Sequence, residues 1–146
     1  MVDFNIKKIE DFLMSAPRYR FVVITKGFDQ SDFQVLDVGH ELACCIKNDV
    51  SEKKNLPIIA SEKLLKLFDD NITEHPKFRN YICLDNIGIL FEPALGLNPT
   101  LILQQLSKKA LLILLWKGAV DKNKLFFLNK GSEHVINLTE INHIIL

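Results

Sequence analysis

The sequence predicts an α/β protein with a mainly parallel sheet that helices cover on both faces. Apolar strand candidates and amphipathic helix candidates alternate along the chain in a βαβαβαβ order. The strand candidates are uniformly apolar, which is typical of parallel strands that are buried on both faces. The length of 146 residues, with 48% hydrophobic and 25% charged residues, fits one domain with a single core over residues 1–146.

The first part of the chain contains clear helix and strand signals. Residues 3–15 repeat apolar side chains at helical spacing, so they predict an amphipathic helix that Pro17 ends. Residues 20–25 are apolar and β-branched and run up to Gly27, which predicts a buried strand. Ser31 is placed to cap a second helix. The predicted apolar face of that helix consists of Leu36, Gly39, Leu42, Ala43 and Ile46.

The middle of the chain predicts two more strands with a helix between them. Residues 56–60 are a strand candidate, and Pro57 places it at a sheet edge or at a strand start. Ser61 then caps the next helix, whose leucines face inward. Residues 80–84 predict a buried apolar strand.

The remaining part continues the alternation. Asn98 followed by Pro99 has the form of a helix start, and residues 111–116 predict a fully buried strand. The final candidates are three short segments at 125–128, 135–138 and 140–145. The first two predict strands, and the third is either a short helix capped by Thr139 or an extended segment.

Charge and cysteine content exclude several classes of protein. The chain has 18 basic and 18 acidic side chains, and this balance argues against a dedicated nucleic-acid binder. An odd count of three cysteines, with Cys44 next to Cys45, predicts no disulfide framework, and Cys83 is expected in the core. No signal peptide and no membrane span are predicted, so we expect a cytoplasmic protein that contacts no membrane.

The loop after the first predicted strand is the first candidate site, because parallel α/β sheets bind ligands beyond the carboxyl ends of their strands. A phosphate loop has the spacing G-x-x-x-x-G-K-[ST], in which backbone N–H groups and the lysine hold the phosphates. Aligned on Gly27, the chain has Asp32 at the second glycine, Phe33 at the lysine and Gln34 at the hydroxyl residue. We therefore predict a degenerate phosphate loop with no bound nucleotide. The alternative is an ordinary strand-to-helix turn.

The strand predicted at 80–84 ends in Asp85-Asn86, which has the form of a Walker B segment. In such a segment the aspartate holds Mg²⁺, and in many ATPases a following glutamate orients the attacking water. Asn86 cannot act as a general base, so we predict no catalytic residue. In the alternative interpretation, Asp85 only caps nearby backbone N–H groups.

Residues 84–118, LDNIGILFEPALGLNPTLILQQLSKKALLILLWKG, resemble the small P-loop proteins of BREX phage-exclusion systems. That family is similar in length and has a D-N-I-x-x-L-F segment, a proline-opened helix with L-x-x-L-S, and a strand ending in W-x-G. The matching residues are Asp85, Asn86, Ile87, Leu90, Phe91, Pro99, Leu106, Ser107, Trp116 and Gly118. The resemblance implies a P-loop NTPase-like three-layer sandwich and nucleotide binding. The chain departs from the family at the degenerate phosphate loop.

These observations together predict a non-catalytic interaction subunit, a pseudo-NTPase, of a bacterial anti-phage defence system. It would act with larger ATPase or DNA-modifying protein partners, would need no cofactor and would contact nucleic acid only indirectly. Phe28 is the candidate partner contact, because it is a large aromatic residue in an otherwise polar loop. Two alternatives stay open: a nucleotide-binding switch or weak NTPase, and an unrelated small adaptor or regulator.

Other groups of polar residues give weaker signals. The four histidines show no i,i+4 pairing and no neighbouring cysteine, so we expect no metal site. The lysine pairs along the chain predict solvated surfaces. A basic patch would have to form in the folded protein from Arg18, Arg20, Lys26 and Lys117, all near predicted strand ends.

Overall fold

A mainly parallel sheet organises the chain, as the sequence predicts. The computed structural model describes residues 4–27, 31, 33–51 and 54–146. The helices are α1 (Phe4–Met14), α2 (Val38–Ile46), α3 (Leu56–Asn71) and α4 (Pro99–Lys109), and two short 3₁₀-helices cover Ile87–Phe91 and Pro93–Leu95. The strands are β1 (Phe21–Ile24), β2 (Val35–Asp37), β3 (Thr73–His75), β4 (Arg79–Asp85), β5 (Leu111–Leu115), β6 (Ala119–Asp121), β7 (Lys124–Phe126), β8 (Val135–Asn137) and β9 (His143–Ile145).

The main sheet has the strand order β2-β4-β5-β1-β9, and these five strands are parallel. The short strand β3 adds antiparallel pairing at the start of β4. Strands β6, β7 and β8 form a separate antiparallel sheet. In this order β5 lies between β1 and β4, so the loops after these three strands meet at one edge of the sheet.

Two clusters of buried side chains cover the two faces of the sheet. One contains Val23, Leu84 and Leu114 with apolar residues of α2, α3, α4 and the small sheet. The other contains Val22 and Ile113 with residues of α1. Successive residues of β1 and β5 belong to different clusters, and both clusters are buried. This explains why these strands have apolar residues at every position.

The segment predicted as one helix after Ser31 is a strand followed by a helix. Val35 and Leu36 pair with Cys83 and Leu84 of β4, and they extend the sheet to a new edge. Asp37 caps α2, because its Oδ1 accepts a hydrogen bond from the backbone N–H of His40 at 3.0 Å. The helical prediction was therefore wrong for residues 35–37, because Val35 and Leu36 pair with β4 as a strand. The helix begins only at Val38.

The strand predicted at 56–60 was also wrong, because these residues form the start of α3. Pro57 lies in the first turn, where its missing N–H costs no hydrogen bond. Leu56, Ala60 and Leu64 follow at four-residue spacing and are buried. Ser61 therefore lies within α3 and caps no helix start.

The remaining predictions agree better with the structure. Asn98 caps α4 by accepting a hydrogen bond from the N–H of Leu101 at 3.2 Å. The ambiguous segment 140–145 forms no helix: a turn at Thr139 and Glu140 leads into the extended residues of β9, which pairs with β1. Among the helices that the structure describes, none combines the length and apolar character that crossing a membrane requires.

Candidate functional site at the carboxyl ends of the strands

A crevice lies where the carboxyl ends of β2, β4 and β5 meet. Its volume is about 410 Å³. Its polar side is formed by Asp37, Asp85, Asn86 and Lys117, and its apolar side by Trp116, Phe127 and Leu128. An adjoining cleft of about 200 Å³ shares Asp85 and Lys117 and extends to the end of β1 at Thr25, Lys26 and Gly27. This is the edge at which parallel α/β sheets bind ligands.

Asn86 connects the two acidic residues of the crevice. The strand register places Asp37 beside Asp85. The Asn86 side-chain amide donates to Asp37 Oδ1 at 2.9 Å, and the Asn86 backbone N–H donates to Asp85 Oδ1 at 2.8 Å. The backbone N–H of His40 and then the Asn86 amide hold the pKa of Asp37 below its usual value of 3.8. Asp37 is therefore ionised at neutral pH.

The backbone at Asn86 is in the left-handed region, with φ 55° and ψ 57°. Asparagine tolerates this region better than most residues with a side chain. The Asn86 carbonyl accepts a hydrogen bond from the Gly39 N–H at 2.9 Å, which fixes the start of α2 against the crevice. A Cβ atom at Gly39 would lie 2.5 Å from Asn86 Nδ2, so this contact requires glycine at position 39.

Lys117 supplies positive charge at the boundary between the two cavities. Its Nζ lies 4.0 Å from Asp85 Oδ2, and its side chain is 86% exposed. Lys117 also contributes to the lowered pKa of Asp37. This exposed pair holds Lys117 weakly, so the ammonium group can turn towards a ligand in either cavity.

The loop after β7 forms the apolar side of the crevice. Phe127 stacks on Phe91, with ring centroids 5.4 Å apart, and a Cβ atom at Gly88 would lie 2.8 Å from the Phe127 ring. Leu128 has a positive φ of 75° and is 74% exposed. Since Leu128 is exposed beside a fixed aromatic pair, it presents an apolar contact at the crevice entrance.

The structure separates the residues of the predicted phosphate loop. Gly27, with φ 68°, lines the adjoining cleft after β1, at the carboxyl edge where the sequence places it. Phe33 is buried on the α1 face of the sheet, stacked 5.1 Å from His75 and edge-on 5.2 Å from Tyr81. The N–H of Gln34 donates to the Tyr81 hydroxyl at 2.9 Å, and β2 begins at the next residue.

Two predicted site residues, Phe28 and Asp32, lie outside the described residues. Asp85 and Asn86 are in the crevice, as their position after a buried strand predicts. Sequence reasoning missed Asp37 and Lys117. An aspartate directly before a helical repeat is an N-cap signal, so Asp37 was identifiable. The sequence places Lys117 and Asp85 at the same edge of a parallel sheet, but that β4 and β5 are direct neighbours is seen only in the structure.

The expectation that the histidines have no i,i+4 partner and no neighbouring cysteine was wrong for His40. Cys44 follows at i+4 on α2, and its Sγ lies 3.9 Å from His40 Nε2, because residues four apart share a helix face. Across residues 4–27, 31, 33–51 and 54–146, no cluster of three or more His, Cys, Asp or Glu groups is arranged to hold a metal ion.

The basic patch considered from the sequence does not form. Arg18 and Arg20 precede β1, whereas Lys26 follows β1 and Lys117 follows β5. Because β1 and β5 are parallel, these two pairs lie at opposite edges of the sheet.

The fold and the crevice define an α/β protein with a ligand-sized cavity at the carboxyl edge of a mainly parallel sheet. Comparison of the chain with protein-family models, curated proteins and solved structures found no match.

Proposed function

We propose that the chain is a non-catalytic interaction subunit of a bacterial anti-phage defence system. In this proposal it has a P-loop-like framework without the phosphate grip, and it acts with larger ATPase or DNA-modifying proteins in the cytoplasm. The resemblance of residues 84–118 to small P-loop proteins of BREX systems suggests the class of system. Two features of the structure support the proposal: the position of the predicted degenerate phosphate loop and the lining of the crevice.

The observation that carries the proposal is the position of Phe33. A phosphate loop must lead into a helix whose N-terminal N–H groups face the phosphates. Here Phe33 occupies the lysine position and is buried among aromatic rings, and Gln34 leads into β2. The end of the loop is thus tied to the core, away from the crevice that contains Asp85.

The crevice entrance supports a role in protein contact. Leu128 is exposed next to Phe127, and Asp37 and Asp85 line the same crevice. Interface anchors are typically apolar or aromatic groups surrounded by polar ones. The crevice therefore offers a candidate interaction surface at the carboxyl edge of the sheet.

A nucleotide-binding switch or weak NTPase is the second candidate, and the smaller cleft favours it. Lys26, Gly27 and Lys117 surround this cleft next to Asp85, so cations and a carboxylate that could bind magnesium lie together. The third candidate is an unrelated adaptor. It would also bind a protein through the crevice, but that protein would not be a defence protein encoded by a neighbouring gene.

Nucleotide titration separates the first two candidates. We expect millimolar Mg-ATP or Mg-GTP to leave the melting temperature unchanged. A ligand at one hundred times its dissociation constant would add about 2.7 kcal/mol to the free energy of unfolding. At about 2–4 °C per kcal/mol for a domain of this size, that shift would be easily seen. A clear shift, or phosphate release that Asp85→Asn abolishes, would favour the nucleotide switch instead.

Partner binding is tested by co-purification with the products of neighbouring genes. Leu128→Asp should weaken the complex by about 30-fold or more, since truncating an anchor costs about 2 kcal/mol or more. Leu65→Asp is the matched control, because Leu65 is 53% exposed on α3 away from the crevice. Phe28→Ala tests the candidate contact from the sequence in the same assay.

The outcomes separate the candidates. If no neighbouring product binds the unmodified chain, the adaptor alternative replaces the proposal. If Leu128→Asp and Leu65→Asp bind as well as the unmodified chain, the crevice entrance is not the interface.

A further inference from the structure

Three cations gather at the amino edge of the sheet, opposite the crevice. Arg18 and Arg20 precede β1, and Lys108 lies in the last turn of α4. We call this group the amino-edge patch. Both Arg18 and Lys108 lie over the ring of Tyr19, with Arg18 Cζ 5.4 Å and Lys108 Nζ 5.9 Å from its centroid. Arg20 Nη2 donates to the Lys108 carbonyl at 3.4 Å.

Tyr19 is held in place by contacts from two other segments. Its hydroxyl accepts a hydrogen bond from Gln104 Nε2 at 2.9 Å, and its N–H donates to Asn142 Oδ1 at 3.3 Å. Tyr19 is only 9% exposed, so it supports the cations from beneath and is not itself a surface contact. The position of the patch is therefore fixed by α4 and by the segment before β9.

Among the described residues, no acidic group lies within ion-pairing distance of Arg18, Arg20 or Lys108. The adjacent Lys109 differs, because its Nζ lies 2.6 Å from Asp69 Oδ1. The three cations repel one another at close range. The chain as a whole has no net charge, so the positive charge of this group is local. Within the part of the chain that the structure describes, Arg18, Arg20 and Lys108 therefore form a local group of cations with no acidic ion-pair partner.

We propose that the amino-edge patch binds the phosphate backbone of a nucleic acid. Duplex DNA carries one negative charge per about 1.7 Å of its axis, and neutralisation of its phosphates by Lys and Arg side chains drives binding that is independent of sequence. Two of the three are arginines, whose planar donor forks fit phosphate oxygens. This contact is independent of base sequence and independent of the crevice, so it adds a direct nucleic-acid contact to the protein–protein function proposed above.

The test is fluorescence anisotropy of the purified chain with a labelled 20-base-pair duplex, with a single strand of equal length and with poly-glutamate. We expect saturable nucleic-acid binding at 50 mM salt. With three phosphates neutralised, raising salt to 200 mM should weaken duplex binding by about 40-fold, since the logarithmic slope is about −0.9 per phosphate. The single strand should show the shallower slope of about −0.7 per phosphate.

The triple variant Arg18→Gln/Arg20→Gln/Lys108→Gln should remove most of the binding. The double variant Arg18→Gln/Lys108→Gln keeps the hydrogen bond from Arg20 to the Lys108 carbonyl, so it tests the patch if the triple variant does not fold. The double variant should reduce the salt slope by about two phosphates. Lys66→Gln/Lys124→Gln/Lys130→Gln is the control, because it removes the same net charge from exposed positions elsewhere. Melting curves confirm that each variant is folded.

Three results would overturn the proposal. The first is no saturable binding of either nucleic acid below about 10⁻⁴ M, the weak end of non-specific binding. The second is equal weakening by the control variant. The third is binding of poly-glutamate with neither nucleic acid bound, which would assign the patch to an acidic protein. No partner protein is present, so these results are separate from the test of the crevice.

Discussion

Gly39→Ala tests the packing of α2 against the crevice. At an unconstrained helix position this substitution would be favourable by up to about 1 kcal/mol, because alanine has the higher helix propensity. Here the new Cβ atom would lie 2.5 Å from Asn86 Nδ2, 3.0 Å from its Cγ and 3.1 Å from its carbonyl oxygen. Asn86 must therefore move, and its hydrogen bond to Asp37 breaks.

Overpacking of this kind costs about 1–3 kcal/mol, so the net loss in the free energy of unfolding should be about 1–2 kcal/mol. A loss of that size lowers the melting temperature by about 2–8 °C in a domain of this length. Thermal and urea unfolding, followed by circular dichroism, measure both quantities.

A double-mutant cycle with Asn86→Gly isolates the contact. Asn86→Gly removes the side chain, and it suits the left-handed backbone at φ 55°. In that background only the 3.1 Å contact with the backbone carbonyl oxygen of residue 86 remains, so Gly39→Ala should destabilise by clearly less. The expected coupling is about 1 kcal/mol or more. A higher melting temperature for Gly39→Ala alone, or an equal loss in both backgrounds, would refute the reasoning.

Three further predictions follow from single residues. Asp85→Asn keeps an oxygen to accept the N–H of Asn86, so urea unfolding should show a loss below about 1 kcal/mol, the scale of a local cap; a loss above about 3 kcal/mol would contradict this. Asn98→Ala removes the cap of α4 and should cost about 1 kcal/mol by the same measurement, whereas Asn98→Asp should restore it. Burial, and then the charge of Asp85, raises the pKa of the Cys83 thiol from 9.0 to about 12. The unfolded thiol therefore ionises first, so the free energy of unfolding should fall as pH rises above 9.0, and Cys83→Ala should flatten this fall.

The fold class could be predicted from the sequence because the longest apolar segments have one clear interpretation. Strands β1 and β5 are apolar and buried throughout, as are residues 81–84 of β4. The proline and asparagine at the start of α4 act as predicted. The local sequence was sufficient to predict these elements, because the tertiary contacts favour the same secondary structure as the local residue preferences.

Residues 35–37 and 56–60 were misassigned because short apolar segments fit either a strand or a helix. Val35 and Leu36 become a strand only because β4 lies beside them. Residues 56–60 become helical because four-residue spacing continues to Phe68. Part of the site was predictable, because Asp85 and Asn86 stand at the end of a buried apolar segment in the sequence. The contact of Lys117 with Asp85 depends on the pairing of β4 with β5, which is a tertiary feature.

The place of β1 in the sheet has a consequence for folding kinetics. Phe21 pairs with Leu112 on one side and with His143 on the other, so both neighbours of an early strand are made late in synthesis. Pairing between such distant residues requires closing long loops before any contact forms, which slows folding. Until then the apolar residues 21–24 stay exposed, and an exposed strand of this kind is prone to aggregation and to capture by chaperones. Synthesis of β5 and β9, rather than emergence of β1, should therefore set the time at which the sheet closes.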